Sequence, residues 1–236
     1  NLATELEKLK PSFIRLSFHS NDRTKFNFIT KTNKYNVVLK NLSSLMDQGI
    51  IPSISCTLFR GLNNSYEDIS QFLSFFKERG FKATDITFDE FVPDGCGLDI
   101  KDYQINEEED VKKISNAFKE VFDFSVSEKK SPLKSSYCGI GINSLCIKSN
   151  GDITLCPVLS KPILGNLLEE GIRKTWENSD TFKYFRNKEY LEGSECKTCN
   201  SLENCFGGCK AKSLTFHGDM NTTDPWMCAH LKNGKG

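Results

Sequence analysis

The spacing of cysteines between Cys138 and Cys228 constrains this chain more than any other feature. It reads Cys138-x7-Cys146-x9-Cys156, a gap, Cys196-x2-Cys199-x5-Cys205-x3-Cys209, a second gap and Cys228, and it takes in all 10 cysteines except Cys56 and Cys96. A cubane [4Fe–4S] cluster accepts one thiolate per iron, so these cysteines amount to two full ligand sets with none left over. Structural zinc sites also use CxxC pairs, usually two per metal. Here Cys196-x2-Cys199 is the only such pair, and its continuation is not a common zinc spacing. Disulfide frameworks belong to short secreted chains, and the first residues do not read as a signal peptide. The spacing favours iron–sulfur chemistry, with zinc and disulfides still open on chemistry alone.

Composition narrows the partners. Lys+Arg 31 against Asp+Glu 31 leaves no net charge over 236 residues, which argues against a nucleic-acid partner. No apolar run approaches ~18 residues, so no membrane span is expected. Hydrophobic residues at 38% and aromatics at 11% suffice for a core. Cysteines of this number without a secretion signal point to a reducing compartment, and we place the chain in the cytoplasm.

Before residue 126 the pattern alternates. Leu2 to Lys10 reads as a short helix stopped near Pro11, and Phe13 to Phe18 as a strand. Tyr35, Val38, Leu39, Leu42, Leu45 and Met46 recur at helical spacing, with Gly49 as a stop. Ile50 to Phe59 reads as a second strand. Ser65 opens a helix striped by Ile69, Phe72, Leu73 and Phe76 and ended by Gly80, and Thr84 to Val92 is a third strand. Asn106 with Glu109 resembles a capping box, ahead of the stripe Val111, Ile114, Phe118 and Val121. Such alternation implies an α/β fold with parallel strands, whose functional loops follow the strand carboxyl ends: Phe18-His19-Ser20, Thr57 to Arg60, and Glu90 to Pro93. Among these, His19 reads as a solvated loop residue, Cys56 as a buried small hydrophobe and Cys96 as a loop thiol.

After residue 126, Ser127 to Ser136 reads as a linker. Asn150-Gly151 between two apolar runs is a two-residue hairpin signal. That turn would set Cys146 opposite Leu155, with Cys146 and Cys156 on opposite faces unless a bulge re-aims one. Glu169 to Glu177 and Thr181 to Asn187 read as short helices, and loops are expected from Cys196 onward.

The cysteine string, with Gly151 between Cys138 and Cys156, Gly165-Asn166-Leu167 ahead of a helical Trp176, and Cys205-Phe206-Gly207-Gly208-Cys209, resembles the SPASM domain of radical S-adenosylmethionine (SAM) enzymes. The resemblance covers the last hundred residues or so. It implies two auxiliary [4Fe–4S] clusters, one on Cys138, Cys146, Cys156 and Cys209, the other on Cys196, Cys199, Cys205 and Cys228. It also implies a fold in two parts, a partial (β/α) parallel barrel segment over residues 1–126 and a small irregular SPASM domain with a β-hairpin over 127–236.

A weaker likeness in the first half, carried by Leu16 to Ser20, the segment from Phe28 and Phe91 to Gly95, resembles later strands of a radical SAM barrel. It implies SAM or substrate contacts at Ser17 and Arg60. The family's CxxxCxxC motif does not occur, and the first residue is Asn1; the expectation is the carboxyl-terminal portion of a longer enzyme, and the alternative is a non-catalytic iron–sulfur binding or electron-transfer partner without SAM chemistry. Implied partners are a peptide or protein substrate and an electron donor such as flavodoxin or ferredoxin. Implied cofactors are SAM and a third [4Fe–4S] cluster in that parent. Sulfatase-maturing members carry Asp directly after the cysteine matched by Cys156, where this chain has Pro157.

Overall fold

A computed structural model describes residues 2–92, 102–105, 107–125 and 138–233. Cys96, the Asn106 cap and the 127–136 linker lie outside the described residues. The chain divides into two compact units, the first up to residue 129 and the second from 130 to 232.

In the first unit, α1 (Leu2–Leu9), β1 (Arg15–Ser17), α2 (Arg23–Thr30), α3 (Tyr35–Asp47), β2 (Ser53–Leu58), α4 (Tyr66–Lys77), β3 (Ile86–Glu90) and α5 (Glu107–Phe122) follow in order. The three strands form one parallel sheet in the order β1-β2-β3, the expected α/β arrangement. α4 begins where the sequence says, because Ser65 Oγ accepts the Asp68 amide at 3.0 Å. A cap of this kind is worth about 1 kcal/mol. α2 was not expected. Its start is fixed by Asp22, whose Oδ1 accepts the Lys25 amide at 2.8 Å.

One face of the sheet is apolar and covered. Ile54 pairs with Ile86 and Cys56 with Phe88, all of them buried. Beyond β1, the Phe18 ring lies 5.0 Å from Phe26, 6.2 Å from Phe72 and 5.5 Å from Phe76. Phe72 meets Phe88, and Phe88 meets Phe118, so rings run from α2 to α5. Each such side chain contributes about 1.5–3 kcal/mol by leaving water. The other face is polar. Arg15 donates to Ser55, Thr87 and Asp89 at 3.2, 3.1 and 3.0 Å, and Ser55 donates to Asp89 at 3.0 Å.

The second unit is built from short pieces: β4 (Cys146–Ile147), β5 (Asp152–Thr154), β6 (Gly165–Asn166), α6 (Gly171–Asn178), α7 (Asp180–Arg186), α8 (Leu202–Cys205), α9 (Lys210–His217) and α10 (Pro225–Asn233). The strands make an antiparallel sheet in the order β4-β5-β6. Its core is Ile140, Ile153, Leu155, Leu159, Phe182, Phe185, Tyr190 and Ala211.

Two expectations are corrected here. The hairpin pairs Cys146 with Thr154 and Ile147 with Ile153, one residue off the expected register. Asn150 Nδ2 donates to Asp152 Oδ2 and Asn150 Oδ1 accepts the Asp152 amide, Lys148 N–H reaches Asp152 O, and Gly151 takes a φ of +88°. The loop is therefore three residues with glycine in the left-handed position. β5 ends at Thr154, so Cys156 lies two residues beyond the paired strand and strand alternation does not set its direction. The stretch after Cys196 is also not dominated by loops, since α9 and α10 occupy much of it. Asp224 caps α10, its Oδ1 accepting the Met227 amide at 3.1 Å, ahead of Pro225 in the first helical position.

Candidate metal centre

Four thiols converge at the carboxyl end of the second unit. Cys196 lies in a 3-10 turn (Glu195–Thr198) and Cys199 closes it. Cys205 ends α8, and Cys228 rides on α10. Their proximity shows in their acidities. The Cys228 thiol is pushed up to about 11, by burial first and then by Cys196, Cys205, Asp224 and Cys199. Burial also raises Cys205, an effect opposed by the Gly207 amide and reinforced by Cys196 and Cys199. Thiols that resist ionisation because their neighbours would ionise too are relieved by a bound cation, which reverses the local preference.

A second group packs on the core of the unit. Cys138, Cys156 and Cys209 all lie against the cluster around Ile153, Phe185 and Tyr190, whereas Cys146 does not. Burial raises the Cys138 thiol, the Ile140 amide opposes this, and Cys156 adds to it. Burial likewise raises Cys209. The geometry thus joins Cys138 with Cys156 and sets Cys209 on the same core; Cys146 is placed by the hairpin register alone.

Backbone amides aim at these sulfurs. Ile140 N–H donates to Cys138 Sγ at 3.4 Å, Leu159 N–H to Cys156 Sγ at 3.2 Å and Ser201 N–H to Cys199 Sγ at 3.5 Å. Gly207 does the same for Cys205, and Lys212 and Ala211 for Cys209. A neutral thiol accepts weakly, so amides arranged this way suit thiolates bound to metal. Among the described residues no three His, Cys, Asp or Glu side chains close to the spacing that one metal ion needs. The chemistry of the donors, thiols that accept backbone amides, is of the kind that holds an iron–sulfur cluster.

Three further residues hold the site, and only the glycine pair near them was read from the sequence. Asp224, buried, accepts the Cys209 amide on Oδ2 at 2.8 Å and caps the helix that carries Cys228, so one carboxylate ties the two thiol groups together. Gly208 has φ +67°, and a Cβ there would lie 2.4 Å from Asp224 Cβ, so only glycine fits. Tyr190, held at about 12 by burial and by Cys138, Cys196 and Cys205, stays protonated between the groups and donates to Phe206 O at 3.2 Å. Lys210 is buried beside it.

In the first unit, Ser17 ends β1 exposed, and Arg60 is exposed in the turn after β2, its amide donating to Tyr103 O. No hydrogen bond or ion pair joins the two among the described residues. His19 is not the solvated residue expected. Its Nδ1 accepts the Thr57 amide at 3.1 Å, and burial lowers its pKa against the pull of Asp89. Cys56 is 1% exposed, its thiol well above the ordinary range by burial, consistent with a core role.

Residues 138–200 match the SPASM family, described as an iron–sulfur cluster-binding domain. Over those residues the second unit resembles a SPASM domain. The whole chain resembles radical SAM/SPASM proteins, as its motifs imply. It is 31% identical over 111 residues to an AdoMet-dependent heme synthase of Methanosarcina barkeri, a match covering 47% of this chain and 31% of that protein. It is 33% identical over 60 residues to a PqqA peptide cyclase of Methylocella silvestris, covering 25% of this chain and 16% of the cyclase. The chain therefore matches less than a third of either relative's length. Among solved structures, native anSMEcpe with bound AdoMet superposes with a TM-score of 0.67 at 17% identity, over 98% of this chain and 68% of that one, which establishes likeness of fold.

The SPASM domain also explains the Gly165-Asn166-Leu167 signature. Asn166 Nδ2 donates to Asn150 O and to Asp152 Oδ1 at 3.2 and 3.1 Å, and its Oδ1 accepts the Leu168 amide at 2.9 Å. One side chain thus locks the hairpin turn to β6 and fixes the register that places Cys146.

Proposed function

We propose that this chain forms the auxiliary iron–sulfur part of a radical SAM/SPASM enzyme that modifies a peptide or protein. Cys138, Cys146, Cys156 and Cys209 would hold one [4Fe–4S] cluster, and Cys196, Cys199, Cys205 and Cys228 the other. The carrying observation is the convergence of the last four thiols, with backbone amides on Cys199 and Cys205, at the end of a SPASM domain. Bound clusters and SAM would supply one-electron radical chemistry. No CxxxCxxC occurs in these 236 residues, so we assign the chain's own thiols to the auxiliary clusters and none to SAM cleavage.

The protein's part is to hold thiolates, donate amides to sulfur and exclude water. The amides and the buried core set how readily a cluster accepts an electron. The parallel sheet is read as part of a partial barrel, with the domain change near residues 126–127. Ser17, on the exposed polar face, and Arg60, after β2, are its candidate contacts to SAM or substrate. The PqqA peptide cyclase relative supports a peptide substrate. A flavodoxin or ferredoxin would deliver the electron.

Anaerobic reconstitution tests this. The protein should bind about eight irons and as many sulfides if both cubanes are complete. Cys199→Ala should lose about half of the iron while the remaining cluster keeps its electron paramagnetic resonance signal. Stoichiometric zinc instead of iron, or equal loss of both clusters in Cys199→Ala, would refute the assignment. A SAM- and reductant-dependent mass change in a peptide encoded beside the gene tests the substrate; turnover of a small metabolite and of no such peptide would exclude it.

A further inference from the structure

Lys210 is the least expected residue of the second unit. It is 3% exposed, although lysine is almost never fully buried without a counter-charge. Taking an ammonium out of water costs several kcal/mol. Its visible partners do not offset that cost. Nζ donates to Thr222 O at 3.0 Å and lies 5.0 Å from the centre of the Tyr190 ring. No carboxylate lies within 4.0 Å of it among the described residues. Asp224 is near and its carboxylate favours the charge, but its hydrogen bonds go to the Cys209 and Met227 amides and not to Nζ.

What does surround Lys210 is sulfur. It directly follows Cys209 and opens α9. With Cys138, Tyr190 and Gly208 it lines a narrow recess. Gly207 brings the backbone close on the other side, where a Cβ would come within 3.2 Å of Nζ. Burial lowers its pKa, while Cys196, Asp224, Cys205 and Cys209 favour the charged form. The ammonium therefore sits beside Cys138, which lines the same recess, and next in sequence to Cys209.

We propose that Lys210 is the internal counter-ion of the auxiliary clusters and sets their reduction potential. This inference rests on the two-cluster reading above. An oxidised [4Fe–4S] core with four thiolates is doubly negative. Reduction adds one electron, makes no bond and leaves the site triply negative, so a fixed cation at close range favours the reduced form. The buried setting strengthens the effect, since little water screens it. Cys138 lines the same recess and Cys209 adjoins Lys210 in sequence, so the cluster of Cys138, Cys146, Cys156 and Cys209 should feel it most.

The experiment is a dithionite titration of the reconstituted chain, followed by electron paramagnetic resonance, for the native protein, Lys210→Met and Lys210→Arg. The signal that remains in Cys199→Ala identifies the cluster of Cys138, Cys146, Cys156 and Cys209. In Lys210→Met that cluster should keep its iron and sulfide, and its midpoint should move to more negative potential. Lys210→Arg should stay near the native value. If Lys210→Met fails to take up iron while Lys210→Arg does, the charge is needed to assemble the site, and the proposal stands. A Lys210→Met protein with full iron and unmoved midpoints would overturn it. Equal loss of iron in both variants would also do so, since shape and not charge would then be at issue. Absence of iron from the native protein would instead overturn the two-cluster reading.

Discussion

The two units are held together by different means. The first buries rings and aliphatic side chains against one face of a parallel sheet, and Phe18, Phe72, Phe76 and Phe118 are each 3% exposed or less. The second unit has strands of two or three residues and a core of eight side chains. It also buries Thr154, Lys210, Ser213 and Asp224, and it gathers thiols whose protonation is enforced by crowding. So small an apolar core supplies only a few kcal/mol. The difference teaches that the second unit's fold and its chemistry are one problem, because bound metal would supply both.

The largest test separates the units by removing the metal. Chelation under oxidising conditions should collapse hydrogen-exchange protection in α8 to α10 and around Cys138 and Cys156. The amides of β2, α4 and α5 should change by less than about 0.5 kcal/mol, as expected for distant independent regions. Equal loss of protection in both units would break the comparison.

Point substitutions sharpen it at smaller scale. Phe76 is fully buried and meets Phe18, Phe72, Phe75 and Phe81. Phe76→Ala should cost the first unit about 3–5 kcal/mol without changing iron content. Asp224→Ala should do the converse. Losing the cap of α10 costs about 1–2 kcal/mol, and the freed Cys209 amide and displaced Cys228 should lower iron uptake while the first unit's stability holds. Asp224→Asn, which keeps an acceptor, should lose less. Denaturant melts followed by exchange, with iron counts, measure both; iron lost in Phe76→Ala would tie the units together.

The same contrast governs what could be read from the sequence. Apolar stripes announce themselves, so α3, α4 and α5 and the strands between them were legible from Leu42, Phe76, Ile114 and their neighbours. The cysteine spacing was legible too, since ligand identity is written in residue type. What failed was everything set by one polar side chain. Asn150 and Asp152 convert the two-residue turn into a three-residue one, and no hydropathy pattern registers a slip of one residue. Asp22 and Asp224 each cap a helix that was missed, although Asp224-Pro225 is a start signal that could have been used. The depth of Lys210 follows from the Gly207-Gly208 turn, and its own neighbours in sequence give no sign of it.

The smallest expected effect tests whether the first unit is as free of charge dependence as its apolar core suggests. His19 Nδ1 accepts the Thr57 amide, so the folded state requires neutral imidazole there, and burial lowers its pKa below the ordinary 6.5. The unfolded chain therefore binds a proton more readily than the folded one. Stability from this site is complete above about 6.5, the unfolded value. It falls as pH drops through that value toward the lower folded pKa, and levels off below it. The size of the loss is set by the gap between the unfolded and folded pKa values. Exchange free energies of the β2 amides, corrected for intrinsic rates, should show that decline in the native protein. His19→Asn keeps an acceptor for Thr57 without a titrating group, so its β2 free energies should stay flat over the same range. A matching decline in His19→Asn would place the pH dependence elsewhere, with the Arg15–Asp89 pair on the polar face as the next group to examine.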